Sequence, residues 1–565
     1  MSTSLAWESN HGKDPDVLII GAGISGICTA INLLRHTPIR NFLLLEKGSQ
    51  IGGTWNDNQY PGCCCDVWSH LYSLSFEPNP SWSREYPGQE EIHAYLKRVC
   101  QKWGLYSFIQ FNSVVEDARW DGETLKWCSK VRVTGGKSEE FAKEGYVIKS
   151  DYLVSAVGQL NMPYYPDIPG LGEFKGTVMH SARWDWSKRI EGLNVGIIGN
   201  GATAAQIVPE VAKTAKTLTV FQRTPNWLVP RDDKKISGMR QALYRYLPPI
   251  RRRYRASLMD FRESWYDAAV VEDSDLNNTM RDLCAELMTK QLVDKPELVA
   301  KLTPNYPPGC KRIIISDDYY PALNRQNVEL NTGTIEKTTE TGIVVEGKEI
   351  KLDVLILATG FKTVQFMYPI KIYGENGRSL EDIWPSGARA YLGITVESLP
   401  NFSMLYGPNT NLGHNSIILM IEAQSRYITE MISQVHHARS NGHTLSITPS
   451  NCTVETFNEE IQERLQKSTF ASDNCNSWYK NEDGVITNNW CGNVIEYQNR
   501  VSAINWKEYE ITGSCAETLL KKDKSRLGRV VEESNSALIP IAGVVSMAAL
   551  GVAAYLVRYG PRRIR

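Results

Sequence analysis

Two glycine fingerprints carry the clearest chemistry in this chain. The first is Gly21-Ala22-Gly23-Ile24-Ser25-Gly26; the second is Gly199-Asn200-Gly201-Ala202-Thr203-Ala204. Such glycines let a strand turn tightly into a helix, whose free N–H groups and dipole seat a pyrophosphate. The next charged residue at the expected offset differs in sign. Glu46 follows the first fingerprint and Arg223 the second. A carboxylate there accepts from free ribose hydroxyls, whereas a guanidinium suits a 2′-phosphate. The pair predicts one cofactor of each kind: FAD at the first turn and NADPH at the second. Two such cofactors in one polypeptide imply hydride transfer from nicotinamide to flavin.

The elements that must position these turns are legible as short apolar runs. Asp16–Ile20 reads as a strand ending at the first glycine turn, Ile24–Leu34 as its helix, and Asn41–Leu45 as the next strand, with Glu46 at its tip. Glu90–Lys102 reads as a helix, and Tyr152–Gly158 as a strand ending in a small-residue turn. Pro163, Pro166 and Pro169 mark a crossover between domains. Asn194–Ile198 and Thr217–Phe221 are the first two strands of the second fold. A helical insertion is expected over about 229–308, where Arg251, Arg252 and Arg253 read as a solvated face. Val354–Gly360 reads as a strand that returns to the first domain. The fold class is therefore α/β: two Rossmann-like dinucleotide-binding domains with a helical insertion and a C-terminal transmembrane helix. The expected boundaries are 1–160 and 351–515 for the FAD-binding domain and substrate-side segments, and 161–350 for the NADPH-binding domain. A linker over 516–536, a membrane helix over 537–557 and a basic tail over 558–565 complete the chain.

Composition narrows the function classes. A formal net charge of −1 supplies no field for nucleic acid. The 12 cysteines show no CxxC spacing, and the nine histidines show no metal-ligand spacing. Dithiol oxidoreductase chemistry and a zinc site are thereby disfavoured, and free thiols point to a reducing compartment. Ala537–Val557 is apolar and charge-free, with Lys521, Lys522 and Lys524 before it and Arg558, Arg562 and Arg563 after. About 20 such residues span a bilayer as a helix. The expectation is a single-pass membrane anchor on a cytosolic catalytic body.

Two longer stretches are more specific. Phe174-Lys175-Gly176-Thr177-Val178-Met179-His180-Ser181-Ala182-Arg183-Trp184-Asp185 fits FxGxxxHxxxW[P/D]. Gly53-Thr54-Trp55, then Tyr60-Pro61-Gly62 and Asp66, fit [A/G]GxWxxxx[F/Y]P[G/M]xxxD. With Gly309-Cys310-Lys311-Arg312 and Gly407–Ser416, the chain resembles the type I Baeyer–Villiger monooxygenases, a branch of the class B flavin monooxygenases, from about Val17 to about Tyr497. Trp184 and Asp185 favour this branch over N-hydroxylating relatives.

The resemblance implies roles residue by residue. Arg312 is the active-site arginine, and Asp66 holds it beside the flavin. FAD contacts are implied at Gly21, Gly23, Gly26, Glu46, Thr54, Trp55, Asp66 and Tyr72. NADPH contacts are implied at Gly199, Gly201, Ala202, Thr203, Gln206, Arg223, Thr224 and Lys311. His180 reads as a core or hinge histidine whose motif links the domains. The partners expected are a small hydrophobic ketone and dioxygen, with an ester or lactone as product, in keeping with a biosynthetic pathway for secondary metabolites. Two alternatives stand beside this reading: N- or S-oxygenation of a heteroatom, and an NADPH oxidase or redox-sensing protein without oxygen transfer.

Overall fold

The computed structural model describes residues 14–135, 145–475 and 477–529. Two parallel five-stranded sheets organise it. In the first, the order is Phe402–Met404, Tyr152–Ser155, Val17–Ile20, Phe42–Leu45, Ile109–Gln110. In the second it is Val328–Asn331, Thr217–Phe221, Asn194–Ile198, Val354–Leu357, Thr177–His180. Val17–Ile20 and Phe42–Leu45 are buried at every residue. Such continuous apolar strands suit a parallel sheet covered on both faces. Helix Ile24–His36 packs on the first sheet together with the long helix Ile417–Ser440. A buried hydrogen bond from Asn32 Nδ2 to the Ser425 hydroxyl, 2.8 Å, ties these two helices in the core.

Val354–Leu357 corrects one expectation. It lies between Asn194–Ile198 and Thr177–His180, in the second sheet, rather than returning to the first. The return comes later, through Phe402–Met404 beside Tyr152–Ser155. The second domain therefore runs past residue 350. An apolar strand followed by a glycine turn has the same local signature in either sheet; only pairing decides its place.

The expected helical insertion holds helices Gly238–Tyr246, Pro248–Glu263, Tyr266–Val270, Asp275–Gln291 and Leu298–Leu302. Ser237 and Ser274 cap two of them by accepting the backbone N–H of Arg240 and Asn277, as helix N-termini require. The two crossovers between domains run side by side, with a bridge between Pro163 and Phe361. His180 sits beside these crossovers, 2% exposed, its ring near Tyr165 and Phe361. Burial lowers its pKa to about 4, so it is neutral at physiological pH.

Three further expectations change. The segment expected as a linker carries helix Ala516–Leu520 and strand Lys524–Arg526, which pairs with Ala503–Asn505. Cys310 and Cys475 lie side by side, with Cα atoms 6.2 Å apart, within disulfide reach; the wide separation of these residues in the chain hides their proximity from spacing rules. The transmembrane helix, and with it the single-pass membrane location, is not upheld. No helix among the described residues is long and apolar enough to cross a membrane. Even Ile417–Ser440 carries Glu422, Arg426 and Glu430. Residues 537–557, on which the expectation rested, lie outside the described residues. An apolar run satisfies a length rule without specifying what surrounds it. The fold class is thus two α/β dinucleotide domains with a helical insertion.

Candidate active site

Both glycine turns are built the same way. Gly21 joins Val17–Ile20 to helix Ile24–His36 with φ +106°, and Gly199 joins Asn194–Ile198 to helix Ala202–Val211 with φ +111°. A Cβ at either would sit 2.6 Å or 2.4 Å from the carbonyl oxygen of Ala156 or Ala358. Only glycine fits such an approach at positive φ. Gly23 and Gly26 complete the first turn. At Gly201 a Cβ would meet nothing within 4 Å, so a ligand can approach the backbone closely there, beside Ala202 and Thr203.

Glu46 caps strand Phe42–Leu45 and is 7% exposed. It accepts the N–H groups of Ala22 and Gly48, each at 2.8 Å. Burial pushes its carboxyl up, and those two donors oppose the shift. A carboxylate is acceptor-only, with further lone pairs for ribose hydroxyls. Thr54 and Trp55 are brought to this turn because the Gly52 N–H donates to the Ala22 carbonyl, 3.0 Å. The Trp55 indole Nε1–H then donates to the Tyr72 hydroxyl, 3.2 Å. The glycine turn at the helix N-terminus and the Glu46 carboxylate fit FAD at the first turn.

The second site has the opposite character. Arg223 follows strand Thr217–Phe221 and is exposed, with Thr224 next to it. Lys311 comes from another loop, its ammonium 5.0 Å from the Tyr306 ring centre. Burial, then repulsion from Arg223, lowers the Lys311 pKa to about 8. Among the described residues neither cation has a carboxylate within ion-pair distance. Two converging cations without a counterion fit a 2′-phosphate dianion, and so NADPH rather than NADH. Gln206, implied as an NADPH contact, has its amide engaged elsewhere. It accepts from the Tyr60 hydroxyl, 2.9 Å, and donates to the Cys64 carbonyl, 3.0 Å. It thereby clamps the second domain's helix to the first domain's loop.

Asp66 and Arg312 meet where the domains face each other. Arg312 Nε donates to Asp66 Oδ2 at 2.5 Å, and Nη2 to Oδ1 at 2.8 Å. Nη1 donates to the Leu412 carbonyl, 3.0 Å. Each of the two side chains is 27% exposed, and both line a cavity of about 20 Å³. Burial alone would raise the Asp66 carboxyl; the Arg312 charge and hydrogen bonds instead hold it below its ordinary value. Burial disfavours the Arg312 cation, yet Asp66 more than compensates and its pKa is raised. The pair is ionised across the physiological range. Removing one partner leaves the other charge half-buried and uncompensated, at a cost below the about 3–5 kcal/mol of a fully buried pair.

Sequence reasoning missed the rest of this cavity. Arg262 and Trp265 line it from the helical insertion, and His414 from the loop after Leu412. Glu263 approaches His414 at 3.5 Å and accepts from Asn415 Nδ2 and the Val494 N–H, each at 2.6 Å. The available signal was helical: Arg255, Met259 and Arg262 recur at i, i+4 and i+7 and are all buried, whereas Arg252 points to solvent.

Known proteins give this geometry a context. The profile of the flavin-binding monooxygenase-like family matches residues 14–243. FAD-binding monooxygenase ktnD of Aspergillus niger is 50% identical over 95% of this chain and 88% of its own length. A Baeyer-Villiger monooxygenase of Streptomyces coelicolor is 38% identical over 88% of this chain and 92% of its own. The crystal structure of the OTEMO complex with FAD and NADP superposes with a TM-score of 0.76 at 28% identity, over 88% of this chain and all (100%) of that one. The chain belongs to the flavin-binding monooxygenase-like family, in its type I Baeyer–Villiger branch. It is a flavin-dependent monooxygenase, with FAD and NADPH as its cofactors.

Proposed function

We propose that the chain inserts one oxygen atom of dioxygen next to the carbonyl of a ketone, giving an ester or lactone. The observation that carries this reading is the two-pronged Asp66–Arg312 pair at the cavity between the domains. FAD, once reduced by NADPH, supplies the electrons and the activation of dioxygen. The chain's own residues do the rest. The first glycine turn and Glu46 hold FAD; Arg223, Thr224 and Lys311 hold the 2′-phosphate. Arg312 stays charged at any working pH and presents N–H donors in a fixed plane. Asp66 and Leu412 fix that plane, leaving the remaining donors for an oxyanion in the cavity. Donors already oriented in a water-poor site stabilise developing negative charge with little reorganisation. A nucleophilic oxidant attacking a carbonyl develops such charge; oxidation of a thioether does not.

The apolar part of the lining, Val229, Trp265, Ile313 and Ile315, supports a hydrophobic ketone, as found in secondary-metabolite pathways. The test is to incubate the purified FAD-loaded protein with NADPH and either a ketone or a thioether, and to analyse products by mass spectrometry. Ester or lactone from the ketone is expected. Sulfoxide without any ester would replace this reading with heteroatom oxygenation. Hydrogen peroxide matching NADPH consumption, with every substrate tried, would replace it with an oxidase.

A further inference from the structure

We propose that Arg262 is the counter-cation for a second oxyanion bound in the active-site cavity, carried by the substrate itself as a carboxylate or similar group. The proposal deepens the ketone-oxidising reading and names the substrate class: a hydrophobic ketone bearing an anionic group.

The argument is one of unbalanced charge. Arg262 is 6% exposed and lines the same cavity as Arg312 and Asp66. Its Nη2 donates to the Asp66 backbone carbonyl, 2.7 Å, and its Nε has no hydrogen-bond partner among the described residues. The Asp66 carboxylate is already spent, gripped at both oxygens by Arg312. Glu263, next in sequence, is turned away onto His414, Asn415 and the Val494 N–H. Two guanidinium groups and one carboxylate leave the cavity with surplus positive charge.

The surroundings do not absorb that surplus. The Arg262 guanidinium lies 4.9 Å from the Trp68 ring centre and 5.5 Å from that of Trp265. Cation–π contacts offset only a small part of the cost of burying an ion without a counterion. Burial holds the Arg262 pKa below its ordinary value; the Tyr86 and Asp66 side chains oppose that shift without cancelling it, and Arg312 adds to it. A ligand that brings its own negative charge removes this cost. Trp265, Val229, Ile313 and Ile315 line the cavity and supply apolar walls for the rest of that ligand.

The same surplus would also favour negative charge on the flavin, so the experiment separates the two sources. One arm measures binding of 4-oxo-4-phenylbutanoate and of its methyl ester to the oxidised holoenzyme, without NADPH, by calorimetry. The other measures the flavin midpoint potential. The parent is expected to bind the carboxylate about tenfold more tightly than the ester, as a charge-assisted hydrogen bond gives. Arg262→Gln should abolish the preference with the potential unchanged, and Arg262→Lys should keep part of it. Asp66→Asn, which removes the cavity's carboxylate, should widen the preference; this variant keeps the proposal testable if Arg262→Gln does not fold. Equal binding of carboxylate and ester by the parent would overturn the substrate assignment, and a potential that falls in Arg262→Gln would then assign the charge to the flavin. These measurements need no turnover, so they stand apart from whether ester is formed.

Discussion

Gly21 and Gly199 make the same turn, with φ values within a few degrees and a carbonyl oxygen pressed against each. The charged residues downstream of the two turns diverge. Beyond the first turn, Glu46 is buried and held by two backbone N–H groups. Beyond the second, Arg223 is exposed and Lys311 lies near it, with no acid among the described residues within ion-pair distance of either. In the proposed reading the backbone fixes where a dinucleotide's pyrophosphate goes, and the charge at the neighbouring strand tip selects the dinucleotide. The first site is satisfied by protein donors before any ligand arrives. The second is left electrostatically incomplete, which suits a cofactor that must bind and be exchanged.

The comparison can be broken at several points. The largest effect is expected where both halves meet. Arg312→Ala should lower ester formation by about 10²–10³-fold, while stopped-flow reduction of the flavin by NADPH stays near the parent rate. Ester at a near-normal rate would remove Arg312 from the chemistry. Next comes the selecting cation: Arg223→Ala should raise the KM for NADPH by about 10–100-fold, with the KM for NADH little changed. Equal changes for both would mean that Arg223 does not read the 2′-phosphate. At the opposite tip, Glu46→Gln keeps the shape but loses the charge and one pair of acceptor sites. FAD retention after desalting should fall, with affinity weaker by about tenfold, and NADPH selectivity untouched.

The smallest effect sharpens the contrast through pH. The Lys311 pKa is lowered to about 8, so its charge is present below that pH and lost above it. A phosphate dianion favours the charged form. The KM for NADPH should therefore rise severalfold as pH climbs from about 7 to about 9, as the share of charged Lys311 falls. The KM for NADH should stay flat over the same range. Lys311→Arg, which cannot deprotonate there, should flatten the NADPH profile; a profile unchanged by that substitution would exclude Lys311 as its cause.

The two halves were unequally legible. Asn194–Ile198 and Thr217–Phe221 are found at their expected ends, because buried parallel strands are apolar without interruption and glycines stop them. Strand Val354–Leu357 was equally visible as an element but not as a neighbour, since sheet membership depends on pairing across about 150 residues of chain. Asp66 and Arg312 were found through long motifs in the chain, yet their two-pronged contact is a fact of three dimensions. Arg262 escaped notice because a basic helix looks solvated until its inward stripe is traced. Gln206, implied as an NADPH contact, clamps Tyr60 and Cys64 in this structure, a contact that sequence position alone does not encode.

Asp66 belongs to one half of the molecule and Arg312 to the other, and so the oxidising centre is a coincidence of two bodies rather than a property of either. A relative motion of the two bodies at the crossovers beside His180 that widened the gap by a few ångströms would part the carboxylate from the guanidinium and dismantle the centre. Reactive oxygen chemistry would then be confined to the arrangement in which the two side chains touch, and shedding of oxidising equivalents into solvent would track how often they part.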